Sequence, residues 1–156
     1  MKHPPKLFIF VFSLLILLVT DKKFCKSNEV DPYVDNGGTI IGVSGKNYCI
    51  VAADTRLSKQ YSILSRTTSR VFELQCGQDK PILFAASGCW SDIVGLVNVI
   101  ESELRTYRIT SGESRIPIRM LSYLLARTLY SRRFFPFYSF CCLAGIDEDG
   151  IGAIYR

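Results

Sequence analysis

The sequence predicts an α+β domain, and three observations predict it. Between residues 39 and 86, apolar residues fall in short runs divided by turn residues, which is the signature of strands. From Ile93 to Leu129 they recur at intervals of three and four, which places them on helical faces. From Tyr138 to Tyr155 the short apolar runs return.

Each element follows in order. Thr39–Val43 (TIIGV) and Tyr48–Ala53 (YCIVAA) form a hairpin across Ser44-Gly45-Lys46-Asn47, where Gly45 and Asn47 tolerate positive φ. A polar stretch runs from Leu57 to Ser69. Arg70–Leu74 (RVFEL) alternates as a half-buried strand, Gln75–Lys80 is a turn, and Pro81–Ala86 is an apolar strand closed by Ser87-Gly88. Ile93, Leu96, Val97, Ile100, Leu104 and Tyr107 make one helical face, with Ser91 and Asp92 suited to its start by capping and by the helix dipole. After Ser111-Gly112 a second helix begins, with Pro117 in its first turn and Leu121, Leu124, Leu125, Thr128 and Leu129 on its apolar face. Tyr138–Ala144 and Gly152–Tyr155 then form a hairpin around Asp147-Glu148-Asp149-Gly150. That cluster of carboxylates reads as a solvated turn. Cys141-Cys142 reads as interior packing.

Charge divides unevenly along the 156 residues, whose formal net charge is +5. Residues 1–26 hold Lys2, Lys6, Lys22, Lys23 and Lys26 against Asp21 alone, so the remaining body is close to neutral. A basic surface that grips phosphate by counterion release is excluded, and no nucleic acid is expected as a partner. Residues 7–19 (LFIFVFSLLILLV) follow a basic start as in a secretory signal, yet VTDKKFCKS offers no small-residue cleavage site. The run is too short for the ~20 apolar residues of a membrane span. The cysteines oppose a secreted reading: the body keeps five of the six, an odd number, and there is no N-x-[ST] sequon. With no C-x-x-C pair and His3 as the only histidine, neither a metal, a cofactor nor an imidazole-based mechanism is expected. The expected organisation is a signal-like leader over 1–26, a polar linker or propeptide-like segment over 27–38, and a domain over 39–156.

Taken in order, YVDNGGTIIGVSG, CIVAADTRLS, YSILSR, SGCWSD and LYSRRFFPFY resemble the beta-type subunits of the proteasome core particle, and among them a non-catalytic member. The resemblance runs from about Pro32 to Tyr155 and does not include the leader. It implies a four-layer αββα fold of the N-terminal-nucleophile hydrolase type. It also implies alpha- and beta-type proteasome subunits as partners in stacked heptameric rings, in the cytoplasm and nucleus. By the family pattern the last third of the domain, including the second helical layer, is expected to be absent. The final strand, ending at Arg156, would then leave an open edge and an exposed sheet face.

In catalytic members of that family an N-terminal threonine attacks the peptide bond, with its own amine and a lysine handling protons and an aspartate holding both. The matching positions here are Gly38 for the nucleophile, Arg70 for the lysine and Asp54 for the aspartate. Gly38 has no hydroxyl. Thr39 stands one residue later, and in a strand that slip turns a side chain to the other face, so Thr39 reads as a core-strand threonine. Arginine stays protonated in proteins and cannot shuttle a proton as lysine can. Asp54 then becomes a structural carboxylate, paired with Arg56 or Arg70. The resemblance and these positions together imply a ring-building subunit without peptidase activity. The competing readings are a threonine peptidase using Thr39, and a membrane-attached or secreted β-rich binding module motivated by residues 7–19. Arg132-Arg133 ends a helix where cations suit the dipole, and the aromatics of FFPFY serve either the core or a subunit boundary.

Overall fold

Eight strands and two helices account for the regular structure in the computed structural model, which describes residues 31–76, 81–112 and 115–156. The leader, residues 27–30 of the linker, and the tip of the turn before Pro81 lie outside the described residues. Tyr33–Arg156 form one compact unit.

Four antiparallel strands make the main sheet, in the order β5 (Val71–Leu74), β6 (Ile82–Gly88), β7 (Ser139–Ile146) and β8 (Gly152–Tyr155). Alternation decides its two faces. Leu74, Ile82, Phe84, Ala86 and Leu143 point to one side and join the core with α1 (Trp90–Ser111) and α2 (Ile118–Ser131). The helices contribute Ile93, Leu96, Ile100 and Leu104 from α1, and Ile118, Leu121 and Leu125 from α2, all buried. Each such Leu or Ile taken fully from water contributes roughly 1.5–3 kcal/mol, so this face supplies much of the driving force. Phe72 extends the core by stacking near Phe84 and Trp90, with ring centroids 6.2 and 6.1 Å away.

A hairpin of β1 (Ile40–Ser44) and β2 (Cys49–Ala53) packs on the side of Cys142 and Ile154. Gly42 makes the close approach: a Cβ there would sit 3.1 Å from both Cys142 Sγ and Ile154 Cδ1. Gly152 does the same at the start of β8, where its amide donates to the Gly45 carbonyl at 3.1 Å and a side chain would strike the Tyr48 carbonyl. The turn differs from expectation, because neither Gly45 nor Asn47 takes positive φ. Gly45 is needed for space instead, since a Cβ would overlap the Tyr48 ring.

Three further departures from the sequence reading have local causes. The stretch after Asp54 is a third hairpin, β3 (Leu57–Lys59) with β4 (Ser62–Ser65), closed by Gln60-Tyr61 with Gln60 at φ 53°. Its turn carries none of the Gly, Asn or Asp that advertise such a turn. Helix α1 starts at Trp90 with Cys89 as its N-cap, which makes no side-chain cap bond, so Ser91 does not cap it, whereas Asp92 sits in the first turn where the dipole favours a carboxylate, as expected. Pro117 is the N-cap of α2 and not part of its first turn. At the other end of α1, Gly112 caps in the left-handed conformation (φ 70°), donating to the Arg108 carbonyl.

Candidate functional site

The strand ends bring all four predicted residues together. Asp54 follows β2, Arg70 precedes β5, and Gly38 and Thr39 lead into β1. Pairing of β1 with β2 sets Thr39 opposite Asp54: the Asp54 amide donates to the Thr39 carbonyl at 3.2 Å, and Asp54 Oδ1 accepts the Thr39 amide at 2.8 Å. The same Oδ1 lies 3.4 Å from Arg70 Nε. Of the two partners considered for Asp54, Arg70 is the one in place.

Arg70 is the unusual member. Its side chain is fully buried, a costly position for a charge unless it is paired and hydrogen-bonded. Nη2 donates to the carbonyls of Asn36 (3.0 Å) and Arg56 (2.8 Å). Nε and Nη1 are buried with no hydrogen-bond partner in the structure. Gly38 lies directly against them, at φ +112°, and a Cβ there would stand 2.5 Å from Arg70 Cζ. The space in front of position 38 is therefore filled by guanidinium.

Thr39 does not sit in the core as expected. It is exposed and precedes β1, which begins at Ile40, so the strand alternation that would bury it does not reach it. Its backbone amide donates to Asp54 Oδ1.

Asn36 completes the cluster and was not visible as a candidate. It is buried, its amide donates to the Gly88 carbonyl (3.1 Å), and Nδ2 donates to the Ser58 carbonyl (2.9 Å). Its Oδ1 accepts the Trp90 amide at 2.8 Å, supplying from a distant segment the cap that Cys89 does not give α1. Gly37 adds a bond from the Gly88 amide (3.3 Å), and Tyr33 donates to the Pro136 carbonyl (2.6 Å) while stacking on Phe135. Asp92 performs a related task, accepting the Tyr138 amide at 2.8 Å. The only signal in the sequence was an Asn before a Gly pair, which reads equally well as a turn.

A groove of about 1070 Å³ lies elsewhere, between α2, β1 and the β7–β8 edge. Its lining includes Leu125, Leu129, Ile40 and Ile154 and none of the four predicted residues. Among the described residues no group of His, Cys, Asp or Glu is placed to hold a metal ion, and Asp147-Glu148-Asp149 closes the β7–β8 turn with a bond from the Gly150 amide to the Asp147 carbonyl. No helix among them is long and apolar enough to cross a membrane.

Comparison with known proteins decides the family, because the family described as Proteasome subunit matches residues 34–156. The chain belongs to the proteasome subunit family. Among curated relatives it is similar to proteasome subunit beta type-1 of Drosophila melanogaster, 36% identical over 83% of this chain and 53% of that one. It is 40% identical to proteasome subunit beta type-1 of Arabidopsis thaliana over 80% of this chain and 53% of that one. Proteasome subunit beta type-6 of Saccharomyces cerevisiae is 37% identical over 82% of this chain and 52% of that protein. The chain spans about half the length of the curated relatives it matches.

Proposed function

We propose that this chain is a non-catalytic, structural beta-type subunit of the proteasome core particle. It would join alpha- and beta-type subunits in stacked heptameric rings and form part of the wall of the degradation chamber, in the cytoplasm and nucleus. Its complete fold in that setting is the four-layer αββα sandwich of N-terminal-nucleophile hydrolases. The α1–α2 layer, the main sheet and the β1–β2 hairpin correspond to its first three layers.

The observation that carries the non-catalytic reading is the filled position at 38. A threonine peptidase needs a hydroxyl, a free amine to take its proton, and a lysine of lowered pKa nearby. Gly38 has no hydroxyl, a side chain at 38 would meet the Arg70 guanidinium, and position 70 carries an arginine in place of the lysine. Asp54 is left as a partner for Arg70 and for the Thr39 amide.

The test uses the full chain with a C-terminal tag, expressed in its own cells. The tagged chain should co-purify with alpha- and beta-type subunits in a high-molecular-weight particle, and mass spectrometry should find no N-terminus beginning at Thr39. Recovery only in a membrane or secreted fraction would overturn the ring-subunit reading. Mature chains starting at Thr39 would overturn the non-catalytic reading alone.

A further inference from the structure

We propose that Arg70 is an internal clasp joining three separate segments, and that Gly38 is present to leave room for it. This inference goes beyond the proposed function and holds whether or not the chain enters a particle.

The guanidinium is a planar fork with five N–H donors, able to bond in several directions from one fixed position. Here one nitrogen, Nη2, reaches the Asn36 carbonyl before β1 and the Arg56 carbonyl after β2. The Nε side faces Asp54, whose Oδ1 also holds the Thr39 amide. Arg70 stands at the start of β5, so one buried cation ties the main sheet to both ends of the β1–β2 hairpin. What it fastens is itself a junction. Asn36 joins β3 through Ser58, the end of β6 through Gly88, and the first turn of α1 through Trp90. Residues 36–38 are thus held from one side by Arg70 and hold three elements from the other.

Gly38 has two independent reasons to be glycine, and only one of them concerns Arg70. Its φ of +112° is a backbone state that side chains rarely adopt. Separately, a Cβ would stand 2.5, 2.6 and 2.8 Å from Arg70 Cζ, Nε and Nη1. The second cost vanishes when residue 70 is short, while the first does not. Lysine at 70 would be a different object: a single ammonium that cannot face Asp54 with one nitrogen while holding the two carbonyls with another, as Nε and Nη2 do.

Two measurements on the full chain test this. The first is a double-mutant cycle of Gly38→Ala and Arg70→Leu read by urea midpoint. Gly38→Ala should lower the midpoint much more beside Arg70 than in the Arg70→Leu background, where backbone strain alone remains. Equal shifts in the two backgrounds would overturn the pairing. The second is hydrogen exchange on Arg70→Lys, which keeps the charge and avoids the risk of an unfolded variant. The Asn36 and Gly88 amides should exchange faster by about tenfold or more, with the Leu96–Ile100 region of α1 unchanged, since local opening is read amide by amide. Unchanged exchange at Asn36 and Gly88, or a uniform rise throughout, would show that Arg70 neutralises Asp54 and clasps nothing.

Discussion

Cys76 shows how burial alone sets the chemistry of one side chain. It follows β5, is 3% exposed, and turns its amide back to the Leu74 carbonyl at 2.8 Å. Loss of water around the thiol pushes its pKa up from 9.0 to about 11, against the opposing pull of the Arg108 guanidinium. Below pH 9 the thiol is protonated in both folded and unfolded chains and contributes no pH dependence. Between pH 9 and 11 the unfolded chain releases the proton and the folded chain keeps it, so stability falls as pH rises and levels off above 11. The size of that loss is on the order of 2–3 kcal/mol. Burial also raises Cys49, Cys141 and Cys142, which steepens the same slope. The measurement is urea unfolding between pH 8 and 11 for the wild type and Cys76→Ala. The variant should lose the Cys76 share of the slope, and parallel curves would show that this thiol titrates normally.

Among elements, α1 depends most on a residue outside itself. Its first N–H groups need acceptors, and Cys89 supplies none from its side chain. Asn36 gives that acceptor to Trp90 and at the same time satisfies the Ser58 carbonyl. Asn36→Ala should therefore cost about 1–3 kcal/mol, more than an exposed cap, because buried partners are left unsatisfied. Asn36→Asp keeps the acceptor oxygens but loses the Nδ2 donor, and should fall between the two in urea unfolding. A cost no larger than that of an exposed Asn→Ala change would remove Asn36 from this role. The same site marks the limit of what the chain displayed as a sequence. Helix faces and main-sheet strands were legible because burial of one face writes a period into the residues. Gly38, Thr39, Asp54 and Arg70 were legible because motif spacing brought them into one alignment. The β3–β4 hairpin was hidden by a Gln-Tyr turn, and the α1 cap was hidden because its acceptor lies more than fifty residues away in the chain. The exposure of Thr39 was missed for a related reason, since period-two alternation applies only once pairing has begun at Ile40.

At the scale of the molecule, the β1–β2 hairpin has two faces with opposite requirements. Gly42, Val51 and their neighbours look toward Cys142 and Ile154, whereas Ile41, Val43 and Ile50 are 57%, 51% and 58% exposed. Val43 and Ile50 are directly paired across the strands, so their exposed surfaces adjoin. A contiguous β-branched surface of this kind on a two-stranded layer is an aggregation hazard for the isolated chain. In the proposed setting the same surface would be covered. Ile50→Lys should therefore slow aggregation of the purified chain while changing stability by no more than about 1 kcal/mol, the scale of one cross-strand pair. Val51→Lys, one residue along, places the same charge toward the main sheet and should unfold the hairpin or the chain. Light scattering at fixed concentration reads the first effect and urea unfolding the second. If Ile50→Lys aggregates as fast as the wild type, association proceeds through another surface, such as the groove at the β7–β8 edge or the fully exposed Phe134. If instead Ile50→Lys destabilises as strongly as Val51→Lys, the outer face is already packed against something in the isolated chain, and its exposure is not the source of association.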